Sequence, residues 1–221
     1  MSRLPIFENC NKQTVSSVIA ASKLYYLTLN HFLTGNRKAL KGLLGDADGL
    51  CGQTKNQKSE SFQVIAGLQG DAPELSLYYV RVADAACEMA GSIFQTCQPA
   101  YEYLKDKYMP FSEVQATELA ELNDEMSLFF NTILHILKNR KYDNSSEEIR
   151  KQKTTVLALI NIFQRKQLKR IKRQEVSTRN SMLYLNILTE TKNIVLFASG
   201  LVKANRNFYR TVSEKQPAGV Y

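Results

Sequence analysis

The sequence predicts an all-α protein of six main helices, and three observations carry that prediction. Apolar residues recur at helical spacing along most of the chain, strand-like alternation is hard to find anywhere, and the helix breakers are confined to a few places. Seven of the ten glycines fall between Gly35 and Gly70, and no proline stands between Pro110 and Pro217.

The first helix is expected over 13–34 and the second over 36–68, with a break near Gly42 to Gly52. Inside that break, Gly45-Asp46-Ala47-Asp48-Gly49 begins like a calcium loop. An EF-hand would need an oxygen ligand at Leu50, a glycine at Cys51 and a glutamate at Gln57, so the segment reads only as an interruption. The third helix, 73–106, opens on Pro73, which suits a first turn, and carries the stripe Tyr79, Val82, Ala86, Met89, Ile93. The fourth, 112–139, has the clearest pattern: Leu119, Leu122, Met126, Phe129, Ile133 and Ile136, behind Ser112-x-x-Gln115, which is shaped like a capping box. Ser145-x-x-Glu148 marks the start of the fifth, 145–174, in the same way. The sixth, 178–211, is separated from it only by Val176-Ser177-Thr178, and residues 213–221 read as a loose tail.

Composition narrows the functional classes. At 221 residues, 44% hydrophobic and 23% charged, the chain can bury a sizeable core and has no tract that reads as disorder. No apolar run approaches the roughly 18 residues of a membrane span, and the first residues lack the pattern of a signal peptide. Cys10, Cys51, Cys87 and Cys97 form no C-x-x-C pair and have no neighbouring histidine, so they read as reduced thiols rather than zinc ligands or a disulfide framework. His31 and His135 are the only histidines, which leaves little for metal hydrolysis or histidine acid–base chemistry. No phosphate-binding glycine loop or nucleophile elbow occurs, and the chain reads as non-enzymatic.

The net charge of +8 is local. Residues Arg150 to Arg179 hold ten basic side chains against Glu175 alone, a segment of +9, which leaves −1 for the rest. Such a patch suits a phosphate-rich or anionic-lipid partner. Its densest part, Arg165, Lys166, Lys169, Arg170, Lys172 and Arg173, is the candidate membrane- or partner-binding set. Lys166, Arg170 and Arg173 are expected on one face, with almost no glutamate on the helix to balance them.

The halves of the chain echo each other. Leu24-Tyr-Tyr-Leu-Thr-Leu-Asn-His31-Phe-Leu33 matches Leu128-Phe-Phe-Asn-Thr-Ile-Leu-His135-Ile-Leu137, Asn36-Arg-Lys38 matches Asn139-Arg-Lys141, and Leu77-Tyr78 matches Leu183-Tyr184, at offsets of 104, 103 and 106. The expected architecture is two tandem three-helix bundle repeats, 13–106 and 112–211.

That tandem resembles the PhoU family of phosphate-signalling proteins. The segments Leu77 to Asp84, Phe129 to Asn139, Lys166 to Lys172 and Ser177 to Asn193 look like the soluble C-terminal region of PiT-type inorganic phosphate transporters, and the resemblance spans roughly 15–210. It implies a regulatory domain of a phosphate transporter, cut from it or free-standing, cytoplasmic and at the inner face of the membrane. Its partners would be the transporter's membrane part or phosphate-signalling proteins, with an anionic membrane surface beside them, and it leaves room for a homodimer. The alternative is a helical protein that holds nucleic-acid backbone through residues 165–173. The absence of aromatics between those cations, and of any reading motif, speaks against nucleic acid.

PhoU proteins often carry an acidic run on the third helix of each repeat, where it binds metal clusters. Here the resemblance leaves Asp84 and Glu88 as candidate ligands for a divalent metal, while the counterparts at offset 106 are Glu190 and Ile194. Asp84 and Glu88 lie one turn apart, opposite the apolar stripe, so a solvated acidic face is the simpler reading and at most weak metal binding is expected. Glu190 interrupts an apolar series and needs a partner, for which a lysine or arginine is expected. His31 and His135 read as core or boundary histidines, and the paired aromatics as packing.

Overall fold

A computed structural model describes residues 3–67, 73–142 and 145–214. The fold is all-α, with no strand among the described residues: α1 Arg3–Leu33, α2 Arg37–Gly67, α3 Pro73–Lys105, α4 Glu113–Asn139, α5 Ser145–Lys172 and α6 Thr178–Glu214.

α1 begins about ten residues before its expected start. Among its buried positions, Phe7, Asn11, Thr14, Val18, Ala21, Tyr25, Thr28 and Phe32 alternate steps of four and three, the repeat of a coiled-coil seam, with Cys10, Ser17, Leu24 and Leu29 buried beside them. Asn11, Thr14 and Thr28 hide that seam from an apolar count. Asn11 receives Asn205 Nδ2 from α6 at 3.0 Å and donates to the Leu137 carbonyl of α4 at 3.4 Å, so the polar position ties three helices together. Phe7 anchors the first turns in a small second core with Leu75, Tyr79 and Phe208, meeting the Phe208 ring edge-on at 5.4 Å.

α2 has no break. Leu40, Leu43, Ala47, Leu50, Thr54 and Ser61 are buried at the same alternating spacing, while Gly42, Gly45, Gly49 and Gly52 fall on the outward side. Each glycine lowers helix propensity by about 1 kcal/mol relative to alanine, but the buried stripe carries the helix through them.

In α3 the sequence expectation holds: Tyr79, Val82, Ala86, Met89 and Ile93 are all buried. Pro99 lies inside this helix and removes one backbone donor, that to the Gln95 carbonyl. Asn186 Nδ2 of α6 supplies the replacement at 2.9 Å, so the helix continues to Lys105. The capping box of Ser112 and Gln115 at the start of α4 is formed as expected. Its counterpart at Ser145 rests on a side chain outside the described residues. α6 runs through residue 214, beyond its expected end, and the rest of the expected tail lies outside the described residues.

Three turns end in the same way. Gly35, Lys107 and Gln174 take left-handed φ values of 68°, 56° and 59°, and Asn36, Tyr108 and Glu175 donate back to the carbonyls of His31, Tyr103 and Arg170. Only Gly35 adopts this conformation without a Cβ penalty.

The helices make one body. α1, α3, α4 and α6 form its centre, with α1 against α4 and α3 against α6. α2 packs on α1 and α3 only, and α5 on α4 and α6 only, so these two are the outer helices. The main core draws on all six. Leu77 is 46% exposed whereas Leu183 is buried, so the 106 offset of that sequence match does not align the two cores. The buried positions Tyr79, Val82, Met89, Ile93 and Ala100 instead recur 105 residues later at Tyr184, Ile187, Ile194, Ala198 and Asn205.

Candidate functional site

Glu118 lies nearly two turns after the α4 cap at Ser112, and it is 3% exposed. A buried carboxylate requires partners, and three reach it. Arg170 Nη2 and Lys166 Nζ of α5 approach Oε1 at 2.6 and 3.2 Å, and the Tyr184 hydroxyl of α6 donates to Oε2. Burial pushes the Glu118 carboxyl up, but the hydrogen bonds from Arg170 and Tyr184 and the nearby positive charge outweigh it and hold the carboxyl below its ordinary range. Burial and the carboxylate together raise the Tyr184 phenol, so Tyr184 remains a donor.

The network continues inward. Arg170 Nη1 donates to Gln167 Oε1 at 3.1 Å, Gln115 Nε2 to Gln167 Oε1 at 3.0 Å and to Asn180 Oδ1 at 2.8 Å, and Gln167 Nε2 to the Ser181 hydroxyl at 3.2 Å. Gln115 therefore both caps α4 and links it to α5 and α6. With its polar groups paired across three helices, the C-terminal half of α5 is locked in rotation about its own axis.

That rotation sorts the six basic residues expected to act together. Arg170, with a side chain 12% exposed, points inward to Glu118, and Lys166 leans onto the same carboxylate and over the Phe163 ring. The missing balancing acid thus exists, but on another helix. Arg173 is exposed and 3.6 Å from Glu175. Arg165, Lys169 and Lys172 face solvent, and among the described residues no carboxylate pairs with them. Ile162 and Leu168 stand among them, 46% and 51% exposed. The outer face of α5 is therefore cationic with aliphatic relief, a surface that can meet phosphate groups and apolar matter at once.

The acidic candidates fall elsewhere. Asp84 pairs with Lys58 of α2 at 2.6 Å, both side chains partly exposed. Glu88 is exposed and lines a cavity of about 470 Å³ between α2, α3 and α6, with Asp48, Cys51, Cys87 and Glu190 also on its wall. Among the described residues, no three His, Cys, Asp or Glu side chains stand close enough to hold a metal ion. The partner observed for Glu190 is an amide, Asn193 Nδ2 at 3.2 Å, instead of the expected cation. His31 is half-buried and His135 is exposed beside Asn139. The cysteines are free, Cys10 and Cys97 buried and Cys51 and Cys87 half-buried.

Sequence reasoning missed Glu118, Gln167 and Gln115 as one network, because their partners lie 52 to 66 residues apart. The available signal was a glutamate directly before the apolar Leu119 on the most regular helix. No protein-family model matches the chain, and no curated protein matches it. No helix among the described residues is long and apolar enough to cross a membrane.

Proposed function

We propose that this chain is a non-enzymatic, PhoU-like regulatory domain of an inorganic phosphate transporter, and that the outer face of α5 is its contact with the anionic cytoplasmic surface of the membrane. The observation that carries the contact is the row Arg165, Lys169 and Lys172, which no carboxylate among the described residues pairs, around exposed Ile162 and Leu168. Cations near an anionic leaflet contribute on the order of 1 kcal/mol each before screening, and aliphatic side chains at the same depth bury apolar area. Three such residues orient a tethered domain and hold a free one only weakly. The resemblance to PiT-type transporters supplies the context, and the pairing of the outer helices α2 and α5 agrees with two three-helix units.

A nucleic-acid backbone would use the same cations, but exposed aliphatics in place of aromatics favour lipid. The divalent-metal reading rests on Asp84 and Glu88. At the 105-residue register of the buried faces their counterparts in α6 are Thr189 and Asn193, neither of them a carboxylate, so any metal bound on these helices is held weakly and in the first half only.

The test is co-sedimentation with vesicles of pure phosphatidylcholine and of phosphatidylcholine with 30% phosphatidylglycerol (roughly the anionic content at which surface potential matters) at ~50 and ~150 mM salt. Binding to the anionic vesicles only, weakening at the higher salt, is expected. Equal binding to both lipids, or displacement by equimolar single-stranded DNA at every salt concentration, contradicts the proposal.

A further inference from the structure

A second cationic feature lies between the N-terminal half of α5 and the C-terminal half of α6. It is a groove of about 330 Å³ lined by Ile149, Arg150, Lys153, Ser199, Val202, Lys203 and Arg206. That volume is at the lower end of small-molecule sites, which run from about 300 to 1,000 Å³. Among the described residues, four cations line its wall and no carboxylate does.

The cations differ in how far the fold already uses them. Arg150 is held by Glu147, with its Nη2 at 2.8 and 2.7 Å from the two carboxylate oxygens, in a fully exposed pair three residues apart. Such pairs are worth little and exchange readily for a better anion. Arg206 is half-buried and engaged with the fold. For Lys153 and Lys203, no carboxylate partner is present among the described residues. Lys153 is half-buried and Lys203 exposed, so one lysine from each helix lines the groove. Ser199 donates its hydroxyl to the Val195 carbonyl at 2.7 Å and offers no donor to a ligand. Ile149 and Val202 are buried and form an apolar floor, which lowers the local dielectric and strengthens any charge contact made above it.

We infer that this groove is a binding site for a small molecule carrying several clustered phosphates, gripped by Lys153 and Lys203 with Arg150 and Arg206 beside them. Lys153 and Lys203, with no carboxylate partner among the described residues, add repulsion around the empty groove, and a polyanion reverses that cost. A single phosphate would engage only part of the set, whereas two or three linked phosphates reach both helices. The acid-free wall disfavours a cation, and the small volume excludes an extended polymer as the seated ligand. The groove involves none of the outer-row residues of α5, so this site and the membrane contact stand or fall separately.

The experiment uses the full chain and titration calorimetry with sodium tripolyphosphate and with orthophosphate at ~150 mM salt. One tripolyphosphate per chain is expected, at least about tenfold tighter than orthophosphate. The pair Lys153→Met and Lys203→Met should weaken it about a hundredfold, since each charge-assisted contact is worth about tenfold. The same double variant should melt at the wild-type temperature or slightly higher at low salt, because repulsion is removed. A variant with Arg165, Lys169 and Lys172 changed to Gln should bind tripolyphosphate within about threefold of wild type. In that variant, phosphatidylcholine vesicles with and without phosphatidylinositol bisphosphate distinguish the source: competition with tripolyphosphate assigns the clustered phosphates to a lipid headgroup, and its absence to a soluble molecule. Lack of saturable tripolyphosphate binding, unchanged binding in the Lys153/Lys203 double variant, a lowered melting temperature of that variant, or equal loss in the outer-row variant would overturn the inference.

Discussion

The two outer helices occupy equivalent places, α2 against α1 and α3, α5 against α4 and α6, and they solve the same packing problem with opposite chemistry. α2 has four glycines on its outward side and mixed charges, and its buried stripe is small: leucines, an alanine, a threonine and a serine. α5 has no glycine, buries Val156, Ile160 and Phe163, and then replaces apolar residues by Gln167, which faces Gln115, and Arg170, which faces Glu118. α2 is placed mainly by shape, with one partly exposed ion pair, Lys58 to Asp84, across to α3. In its C-terminal half, α5 is placed by a charged and hydrogen-bonded network that tolerates one rotation only, and that rotation decides which cations face outward. The contrast teaches that the charge of a helix says little about its surface until the inner partner is known.

The largest effect should come from breaking that network. Arg170→Met leaves Glu118 buried with the Tyr184 hydroxyl and the partly exposed Lys166 as its remaining partners, and should cost about 3 kcal/mol in chemical denaturation, with Glu118→Leu/Arg170→Met recovering much of it. If α5 were placed by shape as α2 is, Arg170→Met would fall within about 0.5 kcal/mol of wild type.

Acid should expose the same difference next. The Glu118 carboxyl is held below its ordinary value of 4.5, so its contribution is fully present above the unfolded-state value and is lost as pH falls below about 4.5 toward the folded value. Urea midpoints measured from pH 7 to pH 3 should fall more steeply for wild type than for Glu118→Gln. Parallel curves would show that the carboxylate does not stabilise the fold.

A smaller effect of opposite sign is expected in α2. An added Cβ at Gly45 or Gly49 meets nothing within 4 Å, and neither residue has a positive φ. Gly45→Ala and Gly49→Ala should each stabilise by about 0.5–1 kcal/mol, read as a raised melting temperature. Destabilisation would mean that this face is closely packed by something else. The smallest effect belongs to the outer row of α5: changing Arg165, Lys169 and Lys172 to Gln should leave the denaturation midpoint within about 0.5 kcal/mol of wild type.

The fold class was legible because apolar stripes as regular as Leu119 to Ile136 have no strand reading. The start of α1 was not, because Asn11, Thr14 and Thr28 occupy seam positions as polar residues; Asn11 is satisfied only across helices, by Asn205, and Thr14 by the Cys10 carbonyl of its own helix. The supposed break in α2 came from counting glycines without knowing which way they face; on the outward side they cost propensity but no contact. The basic face was legible as composition and illegible as geometry. Lys166 and Arg170 look like Lys169 and Lys172 in sequence, and only a glutamate some fifty residues earlier, Glu118, separates them into an inner and an outer row.

The central claim, that the outer row of α5 and not basic charge in general meets an anionic surface, is tested most directly by matched charge reversals on the two outer helices. Arg165→Glu/Lys169→Glu/Lys172→Glu on α5 and Lys38→Glu/Lys41→Glu/Lys55→Glu on α2 change the net charge equally, and all six side chains are exposed. Partitioning onto vesicles containing phosphatidylglycerol at low salt should fall about a hundredfold for the α5 variant, from roughly 1 kcal/mol per residue. It should fall less than about fivefold for the α2 variant, through the long-range field alone. Equal losses for the two variants would contradict the account.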